Sequence, residues 1–238
     1  MGNDFFRFKQ FIVRQGGASM KVGVDSVLLG AWTEAGHVFR ILDVGAGTGI
    51  LALMMAQRYP EALIDAVEID RETCQQAVEN VENSAWSSRI RVICIDFADY
   101  VEDCTFRYDM IISNPPYFTA SLKPQDKKRN IARHNDSLPH CLLLSGSAKL
   151  LTPAGVLAVV LPPVEALSLI DEAASYNLFV KRTLHVQTVP SKPVYRMLVE
   201  LSKMPPARSE QRLYIEKADR SDYTDAYKEL TQEFYLKF

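Results

Sequence analysis

The chain has 238 residues, 47% of them hydrophobic and 24% charged, enough apolar material for a sizeable core and too little charge for a disordered chain. Its best candidate for a membrane span, the apolar run 155–161, stops at Pro162-Pro163 far short of the length required. The opening MGNDFFRFKQF has neither the apolar core of a secretion signal nor, with Phe6 at the sixth position, a myristoylation pattern. A net charge of −2 excludes a uniformly polybasic protein.

Taken in order, residues 1–24 set Arg7, Lys9, Arg14 and Lys21 against Asp4 alone and interleave them with Phe5, Phe6, Phe8 and Phe11. Two readings stay open: a surface that stacks on single-stranded nucleic acid, or a hairpin whose phenylalanines pack on the core. DSVLLGAWTEA, residues 25–35, reads as a short helix capped by Asp25. Residues 41–44 form a buried strand that runs into Asp43-Val44-Gly45-Ala46-Gly47-Thr48-Gly49, and a helix follows to about residue 58. Strand, glycine turn and helix is the setting in which a glycine-rich loop carries meaning. A dinucleotide fingerprint would require glycine where Ile50 stands. The loop therefore suits a ligand that approaches closely without a pyrophosphate. With Asp43 as a partner for an ammonium group, it fits the methionine half of S-adenosylmethionine.

The second strand, 63–69, ends at Glu68, about 20 residues past the glycines, where a carboxylate serves ribose hydroxyls. Asp70 caps the next helix, 71–84. The third strand, 90–95, ends at Asp96-Phe97, an acceptor for an adenine amino group beside an aromatic ring. Residues 61–110 carry twelve acidic and four basic side chains. The fourth strand, YDMIIS, leads into Asn114-Pro115-Pro116-Tyr117. Two prolines stiffen the exit from the strand. A side-chain amide and a free carbonyl held side by side accept both hydrogens of an exocyclic –NH2, and the tyrosine offers a stacking face. An aromatic amine attacks poorly because its lone pair is delocalised, so a site of this kind works by positioning and electrostatics.

Residues 118–135 follow as a basic loop over the site, with Lys123, Lys127, Lys128, Arg129 and Arg133 against Asp126. Helix 136–151, a turn at Pro153-Ala154-Gly155, strand 156–161 and helix 164–176 complete the alternation. Two β-rich runs, 179–189 and 194–202, are joined by Pro190-Ser191-Lys192-Pro193 as a hairpin. Residues 203–221 read as linker and edge strand, and 222–238 as an amphipathic capping helix. Cys74, Cys94, Cys104 and Cys141 show no CxxC and no histidines at ligand spacing. They read as reduced thiols in a cytoplasmic protein, with no zinc site or other metal and no disulfide framework.

DVGAGTG, VEID, Asp96-Phe97 and NPPY, in that order, resemble class I S-adenosylmethionine-dependent methyltransferases of the amino-methylating branch. FKQF at 8–11, MKVGVDSVLLGAW at 20–32, IISNPPY at 111–117 and DYTDAYKELTQEFYLKF at the C-terminus resemble more closely the bacterial valine-tRNA adenine-N6 methyltransferase family, over almost the whole chain. The resemblance implies a single α/β domain with a Rossmann-like, mostly parallel seven-stranded sheet, helices on both faces and a C-terminal antiparallel hairpin. Residues 1–35 would be an N-terminal extension. It implies S-adenosyl-L-methionine as methyl donor and an anticodon stem-loop as partner, with no membrane and no obligate protein partner. It further implies that Asn114 and the Pro115 carbonyl hold the target amine and that Tyr117 stacks on the flipped base. Asp43, Gly45, Gly47, Glu68, Asp96, Phe97 and Asn114 would surround the donor, with Lys21 and Asp25 closing its methionine end. Lys127, Lys128, Arg129, Arg133 and His134 would meet the RNA. Rival readings are a release-factor glutamine methyltransferase, disfavoured by the roughly 40 residues before the glycine loop, a guanine-N2 ribosomal RNA methyltransferase, and a binding module without turnover.

Overall fold

The computed structural model describes residues 4–16, 21–116, 138–205 and 209–238. Elements follow in the order β1 (Phe5–Arg7), β2 (Ile12–Arg14), α1 (Val24–Trp32), β3 (Arg40–Val44), α2 (Ile50–Arg58), β4 (Leu63–Glu68), α3 (Arg71–Glu82), β5 (Ile90–Cys94), α4 (Phe97–Asp103) and β6 (Tyr108–Ser113). Then come α5 (His140–Leu150), β7 (Leu151–Leu161), α6 (Pro163–Ala173), β8 (Phe179–Gln187), β9 (Arg196–Ser202), β10 (Ser209–Tyr214) and α7 (Asp225–Thr231).

One sheet has the order β10-β8-β9-β7-β6-β3-β4-β5. Strands β5, β4, β3, β6 and β7 run parallel, while β9 is antiparallel to both β7 and β8. Alternation along the strands divides the core in two. Ile41, Met110, Ile112, Ala158 and Val160 face α1, α2 and the chain termini, whereas Leu42, Ile111, Leu157, Val159 and Leu161 face α4, α5 and α6. The strands are apolar on both sides because helices cover both sides. On the second face Asp65 accepts from Arg91 at 2.8 Å and Tyr108 at 2.6 Å, tying β4, β5 and β6 together. Burial pushes the Tyr108 phenol up.

The sheet has eight strands: seven in the expected Rossmann-like arrangement and β10, the edge strand expected within 203–221, which pairs in parallel with β8. Strand β10 buries only Leu213 among its six residues, so its pairing is a backbone matter that leaves little hydrophobic pattern. β1 and β2 form a separate antiparallel hairpin. Two of the phenylalanines follow the core-packing reading: Phe8 and Phe11 are buried and stack at 4.6 Å, and Phe8 also lies against Tyr235, while Phe5 is exposed. Lys9 is engaged with the Gln232 and Phe238 oxygens at 2.6 and 2.5 Å.

Four boundaries differ from expectation. Helix α1 is capped by Gly23, and Asp25 sits in its first turn. The C-terminal helix covers only Asp225–Thr231, capped by Thr224, because Phe234 and Tyr235 turn back onto the Thr231 carbonyl to join an aromatic cluster. A short helix, α4, starts at the third strand's exit with Asp96 as its cap, which accepts from the Ala98 amide at 2.6 Å. The turn at Pro153-Ala154-Gly155 is absorbed into β7 as a bulge between the pairs Tyr108–Leu151 and Met110–Val156. The expected start of the helix at Asp136 lies outside the described residues.

The cysteine reading is corrected outright. Cys74 on α3 and Cys94 at the end of β5 form a disulfide, with Cα atoms 5.9 Å apart. They stand 20 positions apart in the sequence, and a motif at ligand spacing was the wrong signal to seek. The α3 crossover lays Cys74 beside the strand that follows it. Cys104 and Cys141 are free thiols.

Candidate functional site

The carboxyl ends of β6, β3, β4 and β5 lie side by side in that order. Strands are about 4.8 Å apart, so the glycine loop after β3 and Asn114 after β6 begin roughly one strand spacing apart. This is the point where the chain order of the parallel strands reverses, the usual ligand crevice of such sheets. Ser113 closes the junction by donating its hydroxyl to the Val44 carbonyl at 2.7 Å.

The loop is shaped by backbone conformation. Gly45 and Gly47 have φ of 68° and 57°, the left-handed region, and a Cβ on either would meet nothing within 4 Å. The loop thus presents an open, side-chain-free cradle. The amides of Gly45 and Ala46 donate to the Val67 carbonyl at 2.9 and 3.0 Å, folding the loop over β4. Glu68 clasps it from the side, accepting from Gly47 at 2.8 Å through Oε2 and from Asp70 at 3.0 Å through Oε1.

Asp43 lies fully buried beneath the loop. Its Oδ2 accepts from the Ala52 amide in the first turn of α2 at 3.0 Å, and its Oδ1 has no partner among the described residues. Burial pushes its carboxyl up to about 7, the Ala52 hydrogen bond opposes this, and the charge of Glu68 adds to it. A buried carboxylate with one unmet oxygen favours a cationic neighbour. Cradle and carboxylates therefore fit a compact ligand that carries positive charge and ribose hydroxyls.

Asn114 is half-buried, Pro115 buried and Pro116 exposed. The amide Nδ2 donates to Ser26 Oγ on α1 at 2.9 Å. Its Oδ1 is buried and, among the described residues, has no partner. An acceptor oxygen is thus held out of bulk water beside the glycine cradle.

The other predicted residues divide. Asp96 reaches the rim while also capping α4. Phe97 is buried, its ring within 2.7 Å of where a Cβ on Gly146 would stand, so the ring packs in the second core and not beside an open rim. Asp25 pairs with Arg196 of β9 at 2.7 Å, and Lys21 is exposed. Tyr117, Lys127, Lys128, Arg129, Arg133 and His134 lie outside the described residues. Sequence reasoning missed Ser26 and Ser113, both small hydroxyls inside stretches singled out for their neighbours.

The methyltransferase small domain profile matches residues 20–168, more than half of the chain. A tRNA1(Val) (adenine(37)-N6)-methyltransferase from Bacteroides fragilis is 48% identical over 238 residues, covering all of both chains. The chain belongs to this methyltransferase family. A second family member, from Parabacteroides distasonis and carrying the same name, is 45% identical over 237 residues, again covering all of both. The crystal structure of a predicted O-methyltransferase from Agrobacterium tumefaciens superposes with a TM-score of 0.69 at 19% identity, covering 88% of this chain and 96% of that one. That likeness extends the family's fold to a distant sequence. Among the described residues no helix is long and apolar enough to cross a membrane.

Proposed function

We propose that this chain methylates the exocyclic N6 of an adenine in the anticodon loop of a valine tRNA, at position 37, acting in the cytoplasm as a single unit over residues 1–238. The observation that carries the reading is the buried Asn114 Oδ1, without a partner among the described residues, one strand away from the open glycine cradle. S-adenosyl-L-methionine supplies an activated methyl carbon whose C–S bond breaks to leave a neutral thioether, and the protein's contribution is to bind, orient and exclude water. Gly45 and Gly47 leave room for the donor, Glu68 offers its remaining lone pairs to ribose hydroxyls, and Asp43 provides negative charge beneath. Asp96 takes the adenine amino group through the oxygen that does not cap α4.

Asn114 Oδ1 and the Pro115 carbonyl accept the two N6 hydrogens of the target base. Two acceptors out of the ring plane favour a tetrahedral nitrogen whose lone pair is free to attack. No general base is required, since the surplus proton becomes acidic as the N–C bond forms and leaves to water. The target base must first leave its stack, at a cost of a few kcal/mol that is smallest in a single-stranded loop. Stacking on Tyr117 returns about 1–3 kcal/mol of this. Lys127, Lys128, Arg129, Arg133 and His134 hold the RNA backbone.

The test is mass spectrometry of nucleosides from valine tRNA of a strain lacking the gene. N6-methyladenosine should be absent and should return on incubation with the purified protein and donor. A full complement of the modified base in the deleted strain would refute the proposal.

A further inference from the structure

Asn114 can serve the reaction in only one of its two amide orientations. With Oδ1 toward the target it accepts a hydrogen from the amine. Turned by 180°, it would place an NH2 donor against another NH2 donor, a repulsive arrangement. Oxygen and nitrogen have nearly the same size, so shape alone does not choose between the two. The incoming amine, a donor through both of its hydrogens, selects the oxygen, provided that the other end of the amide is already held in place.

We infer that Ser26 provides this hold, as a positioning residue that anchors one end of the Asn114 amide and leaves the other to meet the substrate; the inference rests on the catalytic reading of Asn114 given above. Ser26 Oγ receives Asn114 Nδ2 at 2.9 Å, and Ser26 is only 8% exposed, so water competes poorly for the contact. The other end of the amide is the buried oxygen, which has no partner among the described residues. One end is therefore satisfied by protein and the other is left for a ligand. A buried acceptor without a partner costs free energy in the free enzyme, and that cost is recovered when an amine arrives.

The serine is able to hold the amide because α1 is itself held at both ends. In its first turn Asp25 pairs with Arg196 on β9 at 2.7 Å. In its last turn Arg58 donates to the carbonyls of Gly30 and Thr33 at 2.8 and 2.5 Å, and Arg182 donates to the Trp32 carbonyl at 2.6 Å. Cations at the carbonyl end and a carboxylate at the amide end both favour the helix dipole. In mid-helix, a Cβ on Gly30 would come within 2.7 Å of the Met54 thioether and 3.2 Å of its Cβ, so α1 sits close against α2. Rotation or sliding of α1 would break several of these contacts, and Ser26 Oγ stays in register with the end of β6.

The experiment measures kcat, KM for tRNA and donor affinity by calorimetry in four proteins: the native chain, Ser26→Ala, Asn114→Ala and the double variant. Ser26→Ala should lower kcat about tenfold, the order expected for one positioning hydrogen bond. Donor affinity should stay within about twofold. On the Asn114→Ala background the same substitution should change the residual single-turnover rate by less than about twofold, because the amide it orients is gone. Ser26→Thr, which keeps the hydroxyl, should retain more activity than Ser26→Ala. An unchanged kcat in Ser26→Ala, or an equal loss on both backgrounds, would overturn the inference. If Asn114→Ala itself kept native turnover, the catalytic reading of Asn114 would fall first and this inference with it.

Discussion

Replacing Asp43 by asparagine removes a charge that the fold buries at a cost, and the cost depends on pH in a defined direction. The carboxyl rises from its ordinary 3.8 to about 7 in the folded chain, chiefly through burial. Below pH 4 the group is protonated in both folded and unfolded states, and it contributes nothing. Between pH 4 and 7 the unfolded chain loses the proton while the folded chain keeps it, so stability declines as pH rises. Above 7 both are ionised and the penalty is constant at about 4 kcal/mol. Asparagine cannot ionise, yet its amide oxygen can still accept from Ala52. Urea unfolding at pH 5, 6, 7 and 8 should therefore show the variant gaining on the native protein as pH rises, with the difference levelling off above 7. Calorimetry adds a second signature. A cationic donor bound near Asp43 pulls its pKa down, so binding at pH 6.5 should release protons in the native protein and fewer in Asp43→Asn. A stability difference that stays flat from pH 5 to 8 would mean that Asp43 is ionised throughout, and the argument would fail.

The Cys74–Cys94 bond closes a segment with a sequence separation of 20, which on chain entropy is worth about 3 kcal/mol. Cys94→Ser should lower Tm by about 6–12 °C, and reductant should do the same to the native protein but nothing further to the variant; equal Tm values in all four samples would count against the bond. Gly146→Ala puts a methyl 2.7 Å from the Phe97 ring and 2.8 Å from Val101. It should cost about 1–3 kcal/mol in urea unfolding and weaken donor binding through the adjacent Asp96, whereas a loss below about 0.5 kcal/mol would show that α4 yields easily. Neutralising Lys127, Lys128 and Arg129 together should make the plot of log affinity for tRNA against log salt shallower by about 2. An unchanged slope would remove those cations from the RNA interface.

Sequence by itself determined the alternating α/β plan and the positions of the chemical motifs. Those signals are local: an apolar run of strand length, a glycine where φ must be positive, a carboxylate at a strand exit, two prolines after Asn114. The same local logic named Glu68 and Asp70, which the structure places at the end of β4 and at the cap of α3. Only the tertiary structure decided what meets across distance. Ser26 and Asn114 are 88 residues apart, and nothing in either stretch marks them as a pair. Cys74 and Cys94 lacked a motif because the α3 crossover, and not their spacing, brings them together. Phe97 was assigned to the rim from its neighbour, yet the close approach of Gly146 draws its ring into the core. Strand β10 was expected as an edge strand within 203–221, but its parallel pairing with β8 is set by the sheet order and not by its own sparse hydrophobic pattern. Patterns along the chain report which residues are buried and which turns are tight, while the partners of a buried oxygen or sulfur are set by which elements the sheet order places side by side.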